Sequence, residues 1–180
     1  MTSFPLRLWR AARLHADTYE EVEADPRSIG QALAVVLGAC AAGGIARFAL
    51  ARPLEPAELT LLVAASALEP LVLWLVGSAF AYMLGASFLR GPETRTDYAE
   101  VLRTTGFAFS PALLRLFAWL PAGVGVAIDL AARAWVFVAV VVAIRQALDY
   151  GTLRAIGTFG LAVLLVMLLM LGLSVAPFPL

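Results

Sequence analysis

The sequence predicts an all-α, polytopic membrane protein: five transmembrane helices with short loops, preceded by a short amphipathic N-terminal helix. Three observations carry that prediction. Hydrophobic residues make up 62% of the chain and charged residues 14%, and the mean hydropathy is +0.88. Soluble domains hold about 45–50% apolar and about 25% charged residues, so the excess here must face lipid rather than water. Apolar runs of membrane-crossing length recur along the chain, separated by segments of Pro, Gly and charge. The arginines, finally, gather in alternate connections, as the positive-inside rule requires of a multi-pass protein.

Residues 1–27 form the polar N-terminal segment and residues 28–177 the membrane domain. Pro5 suits the first turn of a helix reaching about residue 16. At 100° per residue, Arg7, Arg10 and Arg13 share one side, opposite Phe4, Leu8 and Ala12. This is either an interfacial helix touching anionic lipid or the positive flank that topology demands. The acidic run Tyr19-Glu20-Glu21-Val22-Glu23-Ala24-Asp25-Pro26 follows as a short helix ended by proline.

The first span is expected at 28–50. Its Gly38, Ala42 and Gly43 are small, and small residues let helix backbones approach closely in lipid, where no hydrophobic force draws helices together. Arg52-Pro53-Leu54-Glu55-Pro56 is a loop. Residues 57–89 are too long for one crossing, since at 1.5 Å per residue they would cover about 50 Å against about 30 Å of hydrocarbon. Glu69-Pro70 is the natural break, giving a short helix at 57–68 and a second span at 70–89. In that span Gly77, Ala81 and Gly85 recur every fourth residue, a face able to meet the small residues of the first span. Glu69 reads as an interfacial acid with access to water, the other reading being a buried proton carrier.

Residues 90–103 form a polar loop carrying Arg90, Glu93, Arg95, Asp97, Glu100 and Arg103, in which Thr96-Asp97 can cap a helix. The third span is expected at 106–121, the fourth at 124–144 and the fifth at 155–175. Arg7, Arg10, Arg13, Arg27, Arg90, Arg95, Arg103, Arg145 and Arg154 fall on one side of such a bundle, Arg47 and Arg52 on the other. The bias predicts a cell (inner) membrane protein with its N-terminus cytoplasmic and its C-terminus outside.

Little catalytic chemistry is in view. His15 is the sole histidine, and no nucleotide loop, hydrolase elbow or zinc spacing is present, so neither an enzyme nor a cofactor is expected. The balance of 13 basic and 13 acidic residues offers no field for nucleic acid. Charge inside the apolar stretch is the exception. Arg115, Asp129 and Arg133 lie on either side of the turn at Pro121-Ala-Gly-Val-Gly125, and with Glu69 they make up the expected intramembrane polar cluster. Counting back from that turn sets Arg115 beside Asp129, and Arg133 stands four residues on along the same face. One carboxylate serving two guanidiniums is a structural clamp; a substrate path is the alternative.

The Thr18–Pro26 segment with its Tyr19, Glu21, Asp25 and Pro26, the sequence Gly106-Phe107-Ala108-Phe109-Ser110-Pro111, and Trp135 in the fourth span together resemble the Yip family of Rab/Ypt-interacting, five-span membrane proteins. The N-terminal segment is shorter than in eukaryotic members and lacks their Gly-Pro pair, so the likeness is to bacterial-type members. The resemblance implies a membrane-organising or partner-binding scaffold, in contact with the lipid bilayer and with other membrane proteins. An accessory subunit of a larger membrane complex and a small transporter or channel are the alternatives. Asp97-Tyr98-Ala99-Glu100-Val101 echoes Thr18–Val22, which suggests a paired cytoplasmic surface.

Overall fold

The computed structural model describes residues 2–51, 53–88, 96–149 and 151–175. Arg52 and most of the second polar loop, with Arg90, Glu93 and Arg95, lie outside the described residues, as do the expected ends of the second span (Leu89) and of the membrane domain (176–177). The order is α1 (Phe4–Ala12), α2 (Ala16–Ala24), α3 (Ser28–Leu50), α4 (Pro56–Met83) continued by a π-helical turn (Leu84–Phe88), α5 (Tyr98–Phe107), a 3-10 helix (Ser110–Phe117), α6 (Ala122–Ala147) and α7 (Thr152–Val175). Among the described residues four helices are long and apolar enough to cross a membrane: Ser28–Leu50, Pro56–Ala86, Gly123–Ala147 and Thr152–Gly172. The chain is an all-α, polytopic membrane protein.

Two expectations about the spans are corrected. The break at Glu69-Pro70 does not occur, because α4 continues through Pro70. A proline in mid-helix has no N–H for the carbonyl four residues back, here that of Ser66. That carbonyl leans on Gly43 of α3, where a Cβ would collide with it. The close approach that glycine allows thus shelters the carbonyl Pro70 leaves unmatched, and one long helix replaces the expected pair. The second correction concerns 106–121, which is not a single long helix. Asp97 caps α5 through a reciprocal capping box with Glu100, the backbone N–H of Glu100 donating to Asp97 Oδ1 (2.8 Å) and that of Asp97 to Glu100 Oε2 (2.9 Å). Helix α5 then ends at Phe107, and Pro111 stands in the first turn of the 3-10 helix. At about 2.0 Å per residue this tighter coil advances farther than an α-helix of equal length.

Helices α3 and α4 are antiparallel, with Gly44 against Val63 and Ala67. The 3-10 helix lies between α3 and α6, and α7 packs on α4 and α6. Gly106 meets Ala32, Leu113 meets Gly38 and Arg115 meets Gly43, so α5 and the 3-10 helix follow α3 in the same direction. Gly77, Ala81 and Gly85 do not face α3, contrary to expectation. Ala81 packs among Ile144, Ala147 and Ala155, Gly85 meets Leu148, and Gly77 borders a cavity walled by α6 and α7. Half of α4 therefore serves α3 and the other half serves α6 and α7.

At one end of the bundle, α1 and α2 fold back over the start of α3. The turn between them ends α1 with Leu14 in the left-handed region (φ 63°), Leu14 N–H donating to the Ala11 carbonyl and His15 N–H to that of Arg10. The core of this end joins Ala11, Tyr19 and Val22 to Ala32, Val36, Trp74 and Phe107. The N-terminal segment is thereby part of the packed structure.

Candidate functional site

Four charged side chains meet within the membrane-spanning part. Arg115 comes from the 3-10 helix, Asp129 and Arg133 from α6, and Glu69 from α4. Arg115 Nε donates to Asp129 Oδ1 at 2.7 Å and Arg133 Nε to Asp129 Oδ2 at 3.0 Å. Arg133 Nη1 also donates to Glu69 Oε1 at 2.9 Å and Oε2 at 3.2 Å. Arg115 is buried and Glu69 and Arg133 are each about one-third exposed, so the chain of ion pairs runs from the core outward. Placing Asp129 between two guanidiniums needs only the i,i+4 spacing of α6 and a turn of the right length. Recruiting Glu69 needs a helix 64 residues away, and no local pattern announces it. Two cations and two anions in one row leave little net charge, and each member is paired. The adjoining cavity is apolar on its Leu73, Phe109, Val136 and Phe137 walls.

A second network holds the N-terminal segment. Arg7 shares one side of the helical periodicity with Arg10 and Arg13, yet it is 1% exposed. The acids of the Tyr19–Pro26 run turn α1 inward at that point. Arg7 Nη2 donates to Glu21 Oε1 (2.9 Å), and Nη1 donates to Asp25 Oδ2 (3.0 Å) and Gln31 Oε1 (3.1 Å). The Thr2 hydroxyl and backbone N–H also donate to Glu21. The Thr2 hydrogen bond, joined by Arg7, holds the Glu21 carboxyl down at about 2. Asp25 is likewise lowered by Arg7, against the opposing effect of its own desolvation. Pro26 follows at the exposed turn into α3. Tyr19 is fully buried, its hydroxyl donating to the Ala11 carbonyl at 3.1 Å, and burial pushes its phenol pKa up. Tyr98 is only partly buried, donates to the Leu75 carbonyl and lies by Tyr82. The two tyrosine segments lie side by side, α2 packing directly on α5, while both tyrosine hydroxyls are spent on backbone carbonyls within the fold.

Beside α2 opens a polar cleft lined by Glu20, Glu23, Glu100, Arg145, Gln146 and Asp149. Gln146 Nε2 donates to Glu20 Oε1 (2.8 Å), and the Arg103 guanidinium donates to the Glu23 backbone carbonyl. Burial, reinforced by Glu100 and Asp149, raises the Glu23 carboxyl from 4.5 to about 7. A carboxyl whose folded value lies above its unfolded one favours folding below the unfolded value, and that contribution is lost as pH rises through the folded value. Thermal melts in detergent should accordingly give a lower Tm at pH 8 than at pH 5, and Glu23→Gln should narrow the gap. An equal gap in both proteins would exclude Glu23 as its source. Among the described residues no group of three or more His, Cys, Asp or Glu side chains is placed to hold a metal ion.

With this geometry in hand, the comparison with known families is decisive on one point: the model of the Yip1 domain matches residues 13–174. The chain belongs to the Yip1 domain family. No curated protein and no solved structure matches it. The Yip1 match begins at Arg13, so it takes in α2 but none of α1. Of the positions that carried the resemblance, Gly106 sits at the close approach of α5 to α3, where a Cβ would press on Ala32 and on Trp74 Nε1. Trp74 Nε1 donates to the Leu102 carbonyl (2.9 Å), tying α4 to α5. Ser110 and Pro111 are buried at the start of the 3-10 helix, with Ser110 Oγ donating to the Phe107 carbonyl. Trp135, by contrast, is 44% exposed on α6. Within this Yip1 domain, Gly106, Ser110 and Pro111 shape the non-α third segment, while Tyr19, Glu21 and Asp25 dock the N-terminus.

Proposed function

We propose that this Yip1-domain chain is a non-enzymatic, bacterial-type membrane scaffold that binds other membrane proteins or shapes the bilayer. The observation that supports this best is the closed pairing of Arg115, Asp129, Arg133 and Glu69. Charges lining a transport path are spread along it or stand at broken helices, whereas these four are compact and satisfy one another. Helix α7 leaves an apolar face open, with Leu164, Met167, Leu168 and Leu171 all 50% exposed or more. Such a face suits lipid or a neighbouring membrane helix.

The same reading takes α5 with the 3-10 helix as the third of five crossings, because that segment runs beside α3 from Ala32 to Gly43. With nine arginines on one side and Arg47 and Arg52 on the other, the N-terminus is cytoplasmic and the C-terminus outside. Purification in mild detergent, with co-purifying chains identified and the pair reconstituted, should yield a defined membrane-protein complex or a change in vesicle shape. In a Cys40→Ala background, Ala24→Cys and Leu120→Cys should be labelled from opposite sides of the membrane. Recovery of the chain alone, inert towards vesicles, would remove the scaffold reading; labelling from one side would remove the five crossings.

An accessory subunit of a larger complex is the nearest alternative and predicts loss of stability on purification alone. Transport keeps one observation in its favour, since Glu69 does join the Arg–Asp cluster. Solute flux into proteoliposomes that Glu69→Gln abolishes would establish it.

A further inference from the structure

The amphipathic N-terminal helix does more than cap the bundle: it overhangs a groove on the bundle's side. The groove has a volume of about 600 Å³ and is bounded by α1, the 3-10 helix and α6. Its walls include Leu8 and Ala12 of α1, Pro111, Leu114 and Phe117 of the 3-10 helix, and Trp135 of α6. Sites that bury much of a ligand commonly measure about 300–1,000 Å³. The groove exists because the third segment ends its α-helix at Phe107 and continues as a narrower coil between α3 and α6.

Charge at the groove is as specific as its apolar lining. Arg13 stands at the α1 rim, its guanidinium carbon 4.5 Å from the centroid of the Trp9 ring. Every ion pair among the described residues leaves Arg13 out, whereas Arg7 is bound to Glu21 and Asp25 and Arg10 lies 3.9 Å from Asp17. Helix α1 is pinned by Arg7 to Gln31, near the start of α3. A guanidinium without a carboxylate, above an apolar groove and beside an exposed tryptophan, is complementary to a phosphate head above an acyl chain.

We infer that the groove holds one anionic phospholipid of the bilayer, its phosphate on Arg13 and an acyl chain between Leu8, Leu114 and Trp135. The site is independent of whether the chain acts as a scaffold. The full chain is placed in nanodiscs of either phosphatidylglycerol or phosphatidylcholine, stripped with mild detergent, and read by native mass spectrometry. One retained phosphatidylglycerol is expected, favoured roughly fivefold over phosphatidylcholine, the size of effect one surface arginine has on anionic lipid. Arg13→Gln, at an exposed position, should erase the preference while leaving Tm in place. Leu114→Ser, also exposed, should lower retention of both lipids. Equal retention of the two lipids by the wild-type chain overturns the proposal. So does a preference that survives Arg13→Gln, or a second copy of the chain in place of the lipid.

Discussion

Replacing Asp129 by asparagine should collapse the yield of folded protein and lower its thermal stability more than any other single change of charge. The side chain keeps its shape but loses the anion that Arg115 and Arg133 share, at 2.7 and 3.0 Å. Arg115 is 4% exposed, so its guanidinium has no route to water when the carboxylate is gone. Removing one partner of a buried pair costs about 3–5 kcal/mol, because the other charge is left uncompensated. Arg133 retains Glu69 and should contribute less. The measurement is a thermal melt in detergent, paired with membrane yield, for Asp129→Asn, Arg115→Met and the double variant. The double variant should recover much of the loss, since no lone charge remains buried. Unchanged folding in Asp129→Asn would end the clamp interpretation. Restored folding in the double variant would show that the pair specifies arrangement more than it adds stability.

Arg7→Met should detach the N-terminal hairpin without dissolving the bundle. Arg7 gathers Glu21, Asp25 and Gln31, joining α1 to α2 and to the start of α3. Its loss leaves two carboxylates facing each other across the vacated place. Those acids keep partial access to solvent, so the cost falls below that of Asp129→Asn, at about 2 kcal/mol. Limited trypsin digestion should then cut faster at Arg10 and Arg13, while the long helices stay protected. Acid offers a second readout. Glu21 has a folded value of about 2 against 4.5 when free, so its contribution is complete above 4.5 and lost as pH falls through 2. The wild-type hairpin should therefore resist trypsin-independent release, followed by Trp9 fluorescence, until well below pH 4.5. Identical digestion patterns for wild type and Arg7→Met would show that α1 is held by its apolar contacts alone, among them Phe4 edge-on to Phe107.

Much of this molecule was legible in one dimension, and the physical grounds differ by feature. Bulk hydropathy determined that it is a membrane protein, because a chain with 62% hydrophobic residues has too little polar surface to meet water. Local codes placed the Asp97 cap and the i,i+4 pairing of Asp129 with Arg133, since both interactions lie within one turn of helix. Short motifs at 18–26, 106–111 and 135 carried the family likeness that the Yip1 match made firm. Tertiary structure alone decided what depends on distant partners. Pro70 signals a break in any local reading, yet Gly43 lets α3 shelter the Ser66 carbonyl and α4 runs on. Arg7 lies on the arginine side of α1 in any local reading, yet acids up to 18 residues away draw it inside. Glu69 has no local tie to Asp129 and joins its cluster only because α4 and α6 are packed together. The third segment reads as a helix in hydropathy, but close packing between α3 and α6, starting at Pro111, makes it a narrow 3-10 coil. Hydropathy and short-range spacing thus settle what the chain is and where it is helical; long-range charge pairing and backbone approach settle how its polar groups are spent.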